Sequence, residues 1–147
     1  MPSRRVIIGA VAAAAVVVVV VVADWLIVTE EERLEGFIDT VTGRIDDDRI
    51  DRALAWTDPK SQPVELTFRG QSLRFDADNG PELSSQAHTH LASYQGEKLT
   101  LLSKSIDVKT SQATIMVDTL SRRGRTTVQY ELRKRDDKWL VSGVFVR

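Results

Sequence analysis

Residues Ala113–Val146 read ATIMVDTLSRRGRTTVQYELRKRDDKWLVSGVFV, and this stretch decides the fold. Ala113, Ile115 and Val117 alternate with polar or less buried positions, as do Val128, Tyr130 and Leu132. A period of two means a strand with one apolar face. Ser121–Arg125 and Asp136-Asp137 interrupt the alternation as turns, so Ala113–Leu120, Thr126–Arg135 and Trp139–Val146 form consecutive antiparallel strands. Leu99–Lys109 precedes them as a further strand. Parity also assigns directions: Asp107, Asp118, Gln129 and Glu131 fall opposite the apolar sets and point away from the core.

Upstream the period changes. Leu34, Phe37, Ile38, Val41 and Ile45 follow a helical stripe, so Glu30–Ile45 is expected to be an amphipathic helix. Thr29 and Glu32 have capping-box spacing. Asp46, Asp47 and Asp48 offer an N-cap to a second helix that buries Ile50, Ala53 and Leu54 and stops at Asp58-Pro59. Val64, Leu66 and Phe68, then Leu73 and Phe75, make a hairpin about Gly70. Asp78-Asn79-Gly80-Pro81 opens a third helix, lined by Leu83, Ala87, Leu91 and Tyr94 and ended by Gly96.

The N-terminus is of another kind. Val6–Ala23 is 18 residues without a charge, and apolar character resumes from Trp25 to Val28. About 20 apolar residues cross a bilayer as a helix, so residues 6–28 are expected to span the lipid. Arg4 and Arg5 precede the run, while Asp24 and Glu30–Glu32 follow it. This asymmetry keeps the N-terminus cytoplasmic and exports the rest, into the periplasm in a bacterial cell. Cleavage after Ala23 as a signal peptide is the competing reading, but its apolar run usually extends only about 7–15 residues. The chain thus divides into residues 1–28, a stub and anchor, and residues 29–147, one extracytoplasmic domain.

The whole has 20 basic and 21 acidic side chains. With Arg4 and Arg5 set aside, the exported part is mildly acidic, which gives no basic face for nucleic acid. The absence of cysteine excludes disulfides, thiolate metal sites and thiol nucleophiles.

The order of elements, with Ile45–Asp58 (IDDDRIDRALAWTD) and Asp136–Val146 (DDKWLVSGVFV), resembles the nuclear transport factor 2-like superfamily, also called cystatin-like α+β. The resemblance covers Thr29–Arg147. It implies an α+β fold in which three helices pack on a strongly curved antiparallel sheet, leaving a cone-shaped pocket. Trp56, His90, Tyr94 and Tyr130 are the candidate residues for such a pocket, with core packing as the competing reading for Trp56 and the two tyrosines and a structural role for His90. Members include ketosteroid isomerases and polyketide cyclases beside many non-catalytic binding and dimerisation domains.

Isomerase chemistry needs an inward carboxylate as base, and strand parity offers none: Glu65 and Asp76 are also opposite the apolar set. No catalytic residue is assigned. His88 and His90, two apart on a helix, face apart and do not grip one metal ion. Arg122, Arg123, Arg125, Arg133, Lys134, Arg135 and Lys138 make the last hairpins basic, as solvated turns or as contacts for anionic headgroups. The sequence is therefore read as a membrane-anchored extracytoplasmic binding or assembly module without catalytic activity, metal or cofactor. Its partners are the bilayer through residues 6–28 and a second copy or another protein through the outer sheet face. The alternative is a small-molecule enzyme of the cyclase or isomerase kind.

Overall fold

The computed structural model describes residues 29–147. The expected anchor and its topology lie outside these residues, and among the described residues no helix is long and apolar enough to cross a membrane. Helix α1 spans Glu30–Val41, α2 Asp47–Leu54 and α3 Gly80–Leu91, followed by a 3₁₀ turn at Ala92–Tyr94. Strands β1 (Gly43–Arg44), β2 (Val64–Phe68), β3 (Gln71–Phe75), β4 (Lys98–Val108), β5 (Gln112–Ser121), β6 (Gly124–Arg135) and β7 (Lys138–Val146) form one seven-stranded sheet in the order β1-β4-β5-β6-β7-β2-β3.

Local chemistry explains the helix ends. Thr29 and Glu32 exchange their capping-box hydrogen bonds at 3.2 and 2.9 Å. The Asp46 carboxylate accepts the Arg49 N–H at 2.7 Å, capping α2. Helix α1 stops at Val41, four residues before the expected Ile45. Thr42 leaves the helical region and Gly43 takes φ +92°, a conformation that glycine adopts freely. Arg49 then reaches back from α2 and donates to the carbonyls of Asp39 and Thr42 at the end of α1. The freed residues pair as β1 with Lys98 and Leu99.

The β4–β7 meander is antiparallel, with register shifts next to Leu102 and Ser142. Arg69 and Gly70 both take positive φ at the β2–β3 turn, as do Asp136 and Asp137 at the β6–β7 turn, which suits the right-handed twist of the strands.

Two features correct the expected curved antiparallel cone. The sheet is mixed, because β2 lies parallel to β7, from Glu65 beside Gly143 to Phe68 beside Val146. The sheet is also open. Its strand order is linear, and its edges are the two-residue β1 and the five-residue β3, which stand at opposite ends and do not meet. Alternation within a strand specifies its faces but not which distant strand adopts its free edge, so sequence pattern left this pairing open.

The core lies between α1 and the inner sheet face. Leu34, Phe37 and Ile38 are essentially inaccessible, as are Val64, Ile115, Val117 and Leu132 across from them. The Phe37 ring makes edge contacts to Trp56 and Tyr130, with centroids 5.3 and 5.0 Å away. Phe37→Ala removes the hub of this cluster and should cost about 3–5 kcal/mol in urea unfolding. A loss below about 1 kcal/mol would show that the helix does not depend on this ring.

Candidate functional site

Strand pairing sorts the polar groups by face. The inner face carries Ile106 and Val108 on β4, Ala113, Ile115 and Val117 on β5, Val128, Tyr130 and Leu132 on β6, and Val141 and Val144 on β7. Lys104 also falls on this side, opposite Val117, and its ammonium reaches Glu35 of α1 at 2.8 Å. The acidic strand residues Glu65, Asp107, Asp118 and Glu131 lie on the other face.

The four residues placed in a pocket by resemblance do not surround one cavity. Trp56 and Tyr130 flank Phe37 and pack, half-buried, against the core. Burial pushes the Tyr130 phenol well above its ordinary range, so it stays neutral in the folded protein. Tyr94 sits beneath the Arg123 guanidinium, 4.0 Å from the ring centroid. Arg123 also donates to Glu97 Oε1 and to the Ser93 carbonyl, both at 2.8 Å, which ties the β5–β6 turn to the end of α3. His90 is exposed.

His88 is the engaged histidine. Its Nε2 lies 2.8 Å from Asp51 and its Nδ1 3.3 Å from Asp47, while Gln95 Nε2 donates to the same Asp47 oxygen at 2.8 Å. The ring thus clasps α3 to α2. The signal was the acidic run Asp46–Asp48 with Asp51, whose spacing places two carboxylates on one side of α2. Among the described residues no group of three or more His, Asp or Glu side chains is arranged to hold a metal ion.

The outer face is more organised. Asp118 accepts hydrogen bonds from Thr127, Arg125 and Ser103, which hold its carboxyl below its usual range. A carboxylate so satisfied is a poor base. Further along this face runs a groove of about 290 Å³, where Glu65, Arg74, Glu131, Arg133, Ser142 and Phe145 surround the bulge in β7. The bulge that opens it has no sequence signature, and the groove was not foreseen.

A second groove of about 310 Å³ lies at the opposite side of the domain's core, between Arg33 on α1, Ala55 and Trp56 after α2, and Trp139 on β7. Its edge is tied down by Glu30, which accepts from Lys134 at 2.9 Å and from the Trp139 indole N–H. The Lys134 bond first, then the indole bond, hold the Glu30 carboxyl below its ordinary value.

No family model matches the sequence, and no curated protein matches it. Solved structures do. A protein of unknown function with a cystatin-like fold from Nostoc punctiforme is 15% identical, with TM-score 0.58, over 81% of this chain and 92% of that one. A nuclear transport factor 2-like protein of unknown function from Silicibacter pomeroyi is 14% identical, with TM-score 0.51, over 82% and 98%. A protein of unknown function from Mycobacterium tuberculosis is 17% identical, with TM-score 0.56, over 80% and 75%. At these identities the likeness establishes the fold and carries no activity with it. The described residues adopt a nuclear transport factor 2-like, or cystatin-like, fold.

The His88 clasp makes stability depend on pH. Hydrogen bonding to Asp51, and then to Asp47, raises the histidine above its reference value of 6.5. A raised folded value means that the clasp stabilises fully below 6.5 and that this contribution fades as pH rises through the raised value. The melting-temperature gap between the wild type and His88→Gln should therefore be widest in mildly acidic buffer and narrow in alkaline buffer. A gap that widens with pH would contradict the assignment.

Proposed function

We propose that this protein is a single-pass membrane protein whose extracytoplasmic nuclear transport factor 2-like domain is a non-catalytic assembly module working through the outer face of its sheet. The observation that carries the proposal is the division of chemistry between the faces. Where the fold's enzymes need a pocket and an inward carboxylate, the interior holds Phe37 in edge contact with both Trp56 and Tyr130. Carboxylates and guanidinium groups are instead arrayed outside.

The outer face suits a second copy of the chain. Its middle row runs Ser105, Met116, Gln129, Phe145 and Thr67, each opposite the next in register. One row toward the β6–β7 turn come Asp107, Glu131 and Glu65; two rows the other way comes Arg125, beside Leu120. A two-fold axis running between the Met116–Gln129 row and the Asp118–Thr127 row places the acidic row of one copy against Arg125 of the other, a self-complementary arrangement. Half-buried Met116 and Phe145 supply an apolar centre. The anchor supports the same reading, since two chains confined to one bilayer meet at high effective concentration.

Complementation in the native host tests the proposal with two variants confirmed to fold and to reach the membrane. Glu131→Arg reverses a charge in the acidic row and should abolish or sharply reduce function, whereas His90→Ala should leave it near wild type. Loss of function in His90→Ala with normal behaviour of Glu131→Arg would overturn the proposal in favour of a pocket enzyme.

A further inference from the structure

We propose that the groove between α1 and the β6–β7 turn seats a phospholipid headgroup of the bilayer that carries the chain; this rests on reading residues 6–28 as the span. The apolar run ends at Val28, and α1 begins at Glu30. Two residues reach at most about 7 Å, and each headgroup layer is about 6 Å deep. Arg33 lies one helical turn further on, about 5 Å along the axis. The β6–β7 turn is held at the same height, because Lys134 and the Trp139 indole both bond to Glu30, the first residue of α1. The groove therefore opens within about 12 Å of the apolar boundary, where the long Arg33 and Lys138 side chains reach back to the headgroups.

Its lining matches that occupant. Arg33 and Lys138 are exposed cations at the rim, placed to take a phosphate. Trp56, Trp139 and Leu140 form an apolar wall, and indole rings favour the layer between lipid and water. Asp137 completes the lining and pairs with Lys134 at 3.3 Å. It stands mostly in solvent, as does Glu31, so a second negative charge on the ligand is repelled. The chemistry selects a zwitterionic phosphodiester whose own ammonium meets Asp137 and the indole faces. The other basic turn, Arg122 to Arg125, is excluded from this role by geometry. It lies at the far end of β6, about 35 Å away along the strand at its usual rise.

The chain contains no cysteine, so one introduced cysteine carries one fluorophore. Ala55→Cys labels the groove and Arg122→Cys the far turn; both native residues are exposed. The full-length protein is placed in vesicles of phosphatidylethanolamine and phosphatidylcholine that include a headgroup-spin-labelled lipid, and quenching is read after flotation. The label at position 55 should be quenched several-fold more than the label at 122. Arg33→Glu with Lys138→Glu should remove most of that difference, and each single reversal part of it. A chain that does not float with the vesicles overturns the span and the groove together. A chain that floats with both labels quenched equally overturns the groove alone. Stronger quenching at position 55 in phosphatidylglycerol vesicles than in phosphatidylethanolamine would overturn the zwitterionic assignment.

Discussion

The packing of one helical stripe onto an open sheet is the constraint on which the rest of this structure depends. Leu34, Phe37 and Ile38 bring three large side chains to the inner face of β5, β6 and β7, and Phe37 bridges Trp56 to Tyr130. An isolated amphipathic helix of this length is marginal in water, so α1 exists because the sheet covers its apolar side. The sheet, in turn, has one dry face because α1 covers it. Space given to these side chains is space withheld from a ligand.

Polar chemistry is consequently displaced to the periphery, where each cluster joins two elements. Arg49 closes the end of α1 from α2, His88 holds α3 to α2, Arg123 fastens the β5–β6 turn to the 3₁₀ turn, and Glu30 fastens the β6–β7 turn to α1. Exposed ion pairs of this kind contribute little stability singly. Their consequence is positional: they set which loop stands beside which helix end. The Glu30 cluster gives the domain a defined end at the start of α1.

Much of this was legible in the sequence where a local rule applied. The turns at Gly70 and Asp136-Asp137, the caps at Thr29 and Asp46, and the outward direction of Asp118 and Glu131 follow from period-two alternation and cap chemistry. What was not legible depends on distant neighbours. Nothing in Val64–Phe68 announces that it will lie parallel to β7, and nothing in Val141–Val144 announces the bulge that opens the outer groove. The first helix was read through to Ile45, and its end at Val41 depends on Gly43 together with Arg49 arriving from the next helix. The His88 clasp was not legible because its partners lie on another helix, 37 and 41 residues away.

A filled interior has a direct spectroscopic signature in Tyr130. The chain has two tyrosines, so Tyr94→Phe leaves Tyr130 as the only phenol. Absorbance at the phenolate wavelength, followed with rising pH beside the circular dichroism of the fold, then reports whether that hydroxyl meets water. Burial against Phe37 holds the phenol neutral, so no phenolate should appear until the domain itself unfolds in alkali. Reversible ionisation near the ordinary value of about 10, in a domain still folded, would mean that an open pocket exists where the core has been placed.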